Sequence, residues 1–186
     1  RARNDDERAE AAAGLGTSVD RATRLVGQLM TLAKLEPPYD KNLVLQETDL
    51  ANLLQPQMAG WQTQAEKAQI SFSAELHSGI ALIHAESILI LFRNLMDNAL
   101  RYTPAGGSVT LRVRSSAQQV LLEVEDNGQG IPASERERVF APFYRASATL
   151  ERNPGGAGLG LAIVRDIATL HGASISLSDA CPATRS

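Results

Sequence analysis

The chain has 186 residues, enough for one well-cored domain plus an appendage. Its formal charge of −3 carries no basic excess, which argues against nucleic acid or an anionic membrane surface as a partner. The one cysteine, Cys181, excludes an intrachain disulfide framework and suits a reducing compartment; no apolar run approaches the ~20 residues that span a bilayer.

The opening residues RARNDDERAE are charged and do not read as a signal peptide. Leu15, Val19, Ala22, Val26, Leu29 and Ala33 then step by four and three in alternation, a heptad seam widened by Leu25 and Leu32. A lone amphipathic helix cannot hide such a seam, so it predicts a partner helix, with folding back onto its own domain as the alternative. The helix is expected to end before Pro37-Pro38. Asn42–Glu47 reads as a short strand. Asp49 suits the N-cap of a helix from Leu50 to about Lys67, which Pro56 should kink or delay. Trp61 belongs in the core. Ile70–Leu76 and Ile80–Ile83 read as paired strands joined through Ser78-Gly79, with His77 a solvated turn residue and His84 structural.

Glu86–Arg101 is predicted to be an amphipathic helix, with Ile88, Leu91, Leu95 and Leu100 toward one face and Asn94 and Asn98 on another. Four residues place those two amides on one stripe, about one turn apart. Asparagine is not preferred inside a helix, so the pair suits a hydrated cation held through amide oxygen, with a merely solvated face as the alternative. Arg101 and Tyr102 close the helix before Thr103-Pro104. Val109, Leu111 and Val113 alternate, as do Val120, Leu122 and Val124, giving a hairpin. The second strand runs directly into Asp126-Asn127-Gly128-Gln129-Gly130. There glycines let backbone approach a flat ligand and Asp126 can accept from an exocyclic amine; the plainer alternative is an Asn-Gly turn. A short charged helix is expected over Ser134–Val139. Phe140 and Phe143 by themselves read as core. Tyr144–Pro154, with Arg145 and Arg152, reads as a loop. Gly155–Gly160 opens a helix over Leu161–His171, and glycines at a helix N-terminus leave N–H groups free for phosphate oxygens. No Gly-Lys-Ser/Thr follows, so this is not a Walker loop, nor does a strand enter it as in a dinucleotide fingerprint. His171-Gly172 reads as the helix C-terminus.

Taken together, RNLMDNALRYTP, DNGQGI, FAPFYR and GGAGLGLAIV resemble the asparagine box, first glycine box, phenylalanine box and second glycine box of the ATP-binding catalytic domain of sensor histidine kinases. That domain belongs to the superfamily shared with DNA gyrase, Hsp90 and MutL. The likeness covers about residues 49–178. It implies an α+β fold: a two-layer α/β sandwich in which a mixed sheet of about five strands is backed by three helices, with ATP under a lid. By position it implies that Asn98 ligates Mg²⁺, Asn94 sits beside the phosphates and Arg101 reaches them. Tyr102 would line the adenine pocket, and Asp126 would read the adenine amine with Gly128, Gly130 and Ile131 beside the base. Phe140, Phe143 and Arg145 would border the lid, and Gly156, Gly158, Leu159 and Gly160 would cradle the triphosphate. Asn94, Arg101 and Arg145 are the residues it implies for catalysis. Water-splitting members carry a glutamate where this chain has Asn94, and an asparagine cannot act as a general base near neutral pH. The resemblance thus implies a kinase that delivers the γ-phosphate to a histidine for relay to a response-regulator aspartate. An ATP-hydrolysing clamp and a nucleotide-binding dimerisation module are the rival readings.

The division implied is residues 1–36 as the second helix of a dimerisation hairpin, 37–48 as linker and first strand, and 49–186 as the ATP-binding domain. The expected setting is the cytoplasm, as the cytosolic part of an inner-membrane sensor, with a homodimer through the N-terminal helix and a receiver domain as partners, and no direct membrane contact. Two departures stand out. None of His77, His84 and His171 lies in a His-Glu/Asp-x-x-Ser/Thr-Pro-like acceptor box, so this chain alone is not expected to phosphorylate itself. After Ile175–Leu177 no Gly-x-Gly-Thr-x-Phe-like segment follows, which predicts an incomplete sheet edge.

Overall fold

The structure, a computed structural model, describes residues 44–146 and 157–180. The predicted N-terminal helix, the loop beyond Ala146, Gly156 and Cys181 lie outside the described residues.

Strand β1 (Gln46–Asp49) runs straight into helix α1 (Leu50–Leu54), a 3-10 turn (Gln55–Gln57) and helix α2 (Met58–Lys67). Asp49 makes the junction: its backbone is extended, and its Oδ1 accepts from the N–H groups of Ala51 and Asn52 at 2.8 and 3.2 Å. Pro56 sits in the 3-10 turn, so the helix predicted in one piece is broken there. The strand predicted over Asn42–Glu47 lies further along, because its ladder partners on β3 (Ile80–Ile83) pair Gln46 with Ile83 through Asp49 with Ile80.

Strand β2 (Ser71–Leu76) does not pair with β3, contrary to the sequence reading. It runs parallel to β4 (Ser108–Ser115), while β3 is antiparallel to β1. The connection between them is held from both sides. His77 donates its N–H to Val113 at 3.0 Å, Leu50 donates to the Gly79 carbonyl at 2.9 Å, and the Ser78 hydroxyl donates to Asp49 Oδ2. The connection therefore crosses from one sheet to the other instead of folding a hairpin.

The Ser78 hydroxyl, and after it the backbone N–H groups of Asn52, Ala51 and Gly79, hold the Asp49 carboxyl below its ordinary value. A depressed folded value contributes stability above the unfolded carboxylate range of about 3.9, and that contribution is lost as pH falls through the folded value. Urea midpoints of wild type and Asp49→Asn are accordingly expected to differ above about pH 5 and to converge as the carboxyl protonates. A pH-independent difference overturns this.

Strand β5 (Val120–Asp126) pairs antiparallel with β4, giving a mixed three-stranded sheet β2-β4-β5 beside the two-stranded β1-β3. The five strands expected are thus split two and three. Directly opposed residues share a face, so Phe72, Val109 and Asp126 form one row, Ala74, Leu111 and Val124 the next, and Leu76, Val113 and Leu122 the third. Val109, Leu111 and Val113 are fully buried. The other face is charged: Arg112 bridges Glu123 at 2.9 Å, Glu125, and Glu75 at 3.6 Å. Glu125 first, and then Glu123, keep its guanidinium protonated beyond its already high value.

Helices α3 (Ala85–Tyr102) and α4 (Gly160–Leu170) close the core with Leu54, Phe92, Met96, Leu159, Ile163, Val164 and Ile167. Ile88 and Leu91 are buried as expected, Leu95 and Leu100 are partly buried and packed against the same core, and Phe92, Met96 and Ala99 complete the inward face. Trp61 is in the core, edge-on to Phe92 with ring centroids 5.9 Å apart. The helix predicted over Ser134–Val139 is two 3-10 turns, Ala133–Glu135 and Arg138–Phe140. Beyond Gly172 the chain to residue 180 has no regular secondary structure and joins no ladder, so among the described residues β5 is paired on one side only.

Candidate functional site

The C-terminal half of α3 is the spine of the site. Asn94 and Asn98 stand one turn apart on it, and Arg101 and Tyr102 fall in its last turn. The Asn94 Nδ2 donates to the Ile90 carbonyl at 2.8 Å, which fixes the amide's orientation on the helix. A Cβ placed on Gly160 would lie 3.2 Å from Asn94 Oδ1 and 3.5 and 3.7 Å from Asn98 Nδ2 and Oδ1. The first residue of α4 is therefore set against both asparagine amides. Leu159 at the N-cap supplies no capping side chain, so the first-turn N–H groups of α4 carry no side-chain cap.

Asp126 enters from the sheet. It continues the inward alternation of Val120, Leu122 and Val124, so its carboxylate falls on the helix-facing side at the end of β5. Its Oδ1 accepts from the Gly128 N–H at 2.9 Å; among the described residues Oδ2 has no donor. A Cβ on Gly128 would lie 2.5 Å from the Tyr102 carbonyl oxygen, so this turn presses on the last residue of α3. Asn127 is part of the same closure, its Oδ1 accepting from Ser108 N–H at 2.8 Å. Gly130 has φ +69, and the Ile131 carbonyl accepts from Arg136 Nε at 3.1 Å.

The third piece is the pair of segments on either side of residues 147–156. Phe143 donates its N–H to the Gly158 carbonyl at 2.9 Å, and both residues are left-handed, at φ +64 and +71. Side chains at Gly158 are excluded by the Tyr144 carbonyl oxygen, 2.6 Å from a built Cβ. Phe143 is 67% exposed, which overturns its reading as core; Phe140 and Arg145 are half-buried. Burial, and the hydrogen bond to Glu135 at 3.1 Å, push the Tyr144 phenol up, so it remains a donor, with the Arg138 guanidinium 4.7 Å over its ring.

Of the residues picked from the sequence, the structure thus joins Asn94, Asn98 and Gly160 in one group and Tyr102, Asp126 and Gly128 in a second. The two groups are linked by a single turn of α3, from Asn98 to Tyr102. Leu159 is buried beside the first group.

The family described as histidine kinase-, DNA gyrase B-, and HSP90-like ATPase matches residues 84–184, which holds both groups. The chain belongs to this family. The family is one of ATPase domains, so ATP is its ligand class. Among relatives, the chain is similar to the sensor protein kinase PmrB of Pseudomonas aeruginosa, at 37% identity over 182 residues covering 94% of this chain and 36% of PmrB. It is also similar to the sensor protein QseC of Salmonella typhi, at 38% over 170 residues covering 89% and 36%. It spans about a third of these curated relatives. Its fold is similar to that of the mycobacterial sensor histidine kinase MprB, with a TM-score of 0.61 and 27% identity over 68% of this chain and 82% of that one. It is likewise similar to full-length ShkA in complex with AMPPNP, with a TM-score of 0.67 and 25% identity over 84% and 32%. The solved relatives thus share the α+β architecture expected from the sequence. No helix among the described residues is long and apolar enough to cross a membrane.

Three residues of this region escaped the sequence reading. Gly107 lets Thr103 and Asn127 approach, Arg136 holds the loop after Gly130, and His171 reaches across to α3. Of the three only Gly107, one of a Gly-Gly pair, carried a local turn signal.

Proposed function

We propose that this chain is the ATP-binding catalytic part of a sensor histidine kinase, which transfers the γ-phosphate of ATP to a histidine. The observation that carries the reading is the close approach of Gly160, where a Cβ would touch both amides, to Asn94 and Asn98, with Asp126 on the same helix-facing side. Uncapped N–H groups at the start of α4 suit phosphate oxygens, and the helix dipole favours their charge. A neutral amide oxygen together with phosphate oxygens is the kind of partial ligand set Mg²⁺ accepts, so Asn98 would hold the ion; bound there, Mg²⁺ neutralises phosphate charge. Asp126 Oδ2 would accept from the adenine amine, with Tyr102, Gly128, Gly130 and Ile131 beside the base. Arg101 would face phosphate. Gly156, Gly158 and Leu159 would shape the phosphate end, with Phe140, Phe143 and Arg145 at its border. The group at position 94 is an amide, unable to take a proton from water, so the site orients a triphosphate without activating its hydrolysis. Phosphoryl transfer is chiefly positioning and charge stabilisation, which such a cradle supplies.

The wider reading follows from the relatives and the sequence. Residues 1–36 would be the second helix of a dimerisation hairpin and 37–48 the linker with the first strand. Residues 49–186 would be the ATP-binding domain. The parent would work as a homodimer in the cytosol and pass its phosphate to a receiver domain. Calorimetry of Mg-ATP tests the site. Wild type is expected to bind, Asn98→Ala to lose about tenfold of the Mg²⁺-dependent gain, and Asp126→Asn to lose roughly ten- to hundredfold of its preference for ATP over GTP. Unchanged binding in both variants overturns the assignment. Labelled ATP presented with a separate acceptor-histidine hairpin tests transfer. Label is expected on the hairpin and none on this chain, while a steady ATPase rate without transfer favours the hydrolysing clamp.

A further inference from the structure

At the end of the helix layer away from the asparagine pair, His171 spans two elements. It is the C-cap of α4. Its Nδ1 lies 2.7 Å from the Ile167 carbonyl, which can only accept, so Nδ1 carries the proton. Its Nε2 accepts from the backbone N–H of His84 at 3.0 Å, so that nitrogen is bare. These two bonds assign the neutral Nδ1–H tautomer. His84 is itself the N-cap of α3, its Nδ1 accepting from the Ser87 N–H at 3.3 Å with the Ser87 hydroxyl at 2.8 Å. An N-cap residue's own N–H lies outside the helix and needs a partner from elsewhere; here the partner is an imidazole on a helix 87 residues away in sequence.

The geometry of the pair gives this bond a consequence. α3 and α4 run antiparallel, with the start of α4 at Asn94 and Asn98 and its end at His84. Ile163, Val164 and Ile167 between those ends pack in the same core as Phe92 and Met96. Apolar packing alone tolerates small axial sliding, because dispersion contacts are not directional. The imidazole bond is directional, and α4 is about 16 Å long at 1.5 Å per residue, so fixing its far end fixes where its first N–H groups stand.

Resting on the reading of the site as a nucleotide cradle, we infer that His171 is a positioning residue: it sets the register of α4 against α3 and thereby holds Gly160 and the first-turn N–H groups against Asn94 and Asn98. A group at one end of a packed helix acts on the other end by moving the helix as a rigid body, at a coupling that corresponds to roughly two- to thirtyfold in affinity.

Two substitutions separate the two bonds. In His171→Asn the amide nitrogen replaces Nδ1, keeping the bond to Ile167 and losing the reach to His84. In His171→Gln the side-chain carbonyl reaches the place of Nε2 and can accept from the His84 N–H. Mg-AMPPNP affinity, thermal midpoint and hydrogen exchange of the His84 and Gly160 amides are measured on wild type and both variants. The expected result is about fivefold weaker binding in His171→Asn, with faster exchange at both amides, and recovery toward wild type in His171→Gln. Nitrogen-15 shifts of the wild-type imidazole should report the Nδ1–H tautomer. Binding in His171→Asn equal to wild type, or a lowered midpoint with affinity and Gly160 exchange unchanged, makes His171 a structural cap only and overturns the inference. A wild-type chain that binds no Mg-AMPPNP overturns the reading of the site, and the role of His171 with it.

Discussion

Replacing Phe92 with alanine is expected to lower unfolding stability by about 3–5 kcal/mol, the range for deleting a buried phenylalanine side chain. Phe92 is 1% exposed and packs edge-on against Trp61, which is itself buried. It joins α2 to α3 and lies in the core that also holds Ile163 and Ile167 of α4. The ring's removal leaves a void whose lining, Trp61 included, loses its contacts on one side. Against a typical total of 5–15 kcal/mol, that loss is a large fraction of what keeps such a domain folded. Phe143→Ala supplies the contrast. At 67% exposed, its ring has little apolar area to lose, and the change is expected to cost less than about 1 kcal/mol. Phe143→Gly should be neutral or stabilising, because φ +64 strains any residue with a Cβ. Urea unfolding of the three variants checks the order. A Phe92→Ala loss below about 1 kcal/mol would mean that α3 does not pack as described.

That contrast also shows what a sequence can and cannot disclose. Both phenylalanines are apolar and aromatic, and by type alone both belong inside. The period of the helix placed Ile88 and Leu91 in the core and Leu95 and Leu100 against it, yet it left out Phe92, Met96 and Ala99, which complete the same face. Elements whose cause is local were readable: Asp49 as a cap, the break at Pro56, the alternation of β4 and β5, and the left-handed Gly172 after α4. Strand partners were not. β2 and β3 are separated by three residues, which from sequence alone suggests a hairpin, but β2 finds its partner in β4, beyond the whole of α3. Parallel pairing needs such a crossover, and only the assembled sheet shows it.

For the site, residue types were legible and their mutual support was not. Asn94, Asn98, Asp126 and the glycines of α4's start were picked because their chemistry is unusual for where they sit. Arg136 and His171 looked like an ordinary charged turn and an ordinary helix end. Their roles arise from partners 43 and 87 residues distant, Asp179 and His84, which no local pattern marks.

Gly128→Ala is expected to reduce Mg-ATP affinity by more than tenfold, with a smaller effect on stability than Phe92→Ala. A methyl at this position would meet the Tyr102 carbonyl oxygen at 2.5 Å, its carbon at 3.0 Å and Asp126 Oδ1 at 2.8 Å. The obstructing atoms are mostly backbone, and that backbone is held. Thr103 N–H donates to Ala99 at 3.1 Å, Gly107 N–H to Pro104 at 2.9 Å, and Asn127 N–H to Ser108 at 3.2 Å. The end of α3 therefore cannot retreat cheaply, and the turn must lift away. Lifting stretches the Gly128 N–H bond that orients Asp126, so the carboxylate loses its aim at the exocyclic amine together with its place beside Tyr102. A misplacement of about 1 Å is enough to cost on the order of a hundredfold where a site depends on geometry. Gly130→Ala is the control. It bears the strain of φ +69 but meets no atom within 4 Å, so it should cost about 1–2 kcal/mol of stability and less affinity than Gly128→Ala. Calorimetry on the two variants, beside Asp126→Asn, decides the point. If Gly128→Ala binds as tightly as wild type while Asp126→Asn does not, the carboxylate acts without the support of its turn, and the coupling of β5's end to α3 is not what aims it.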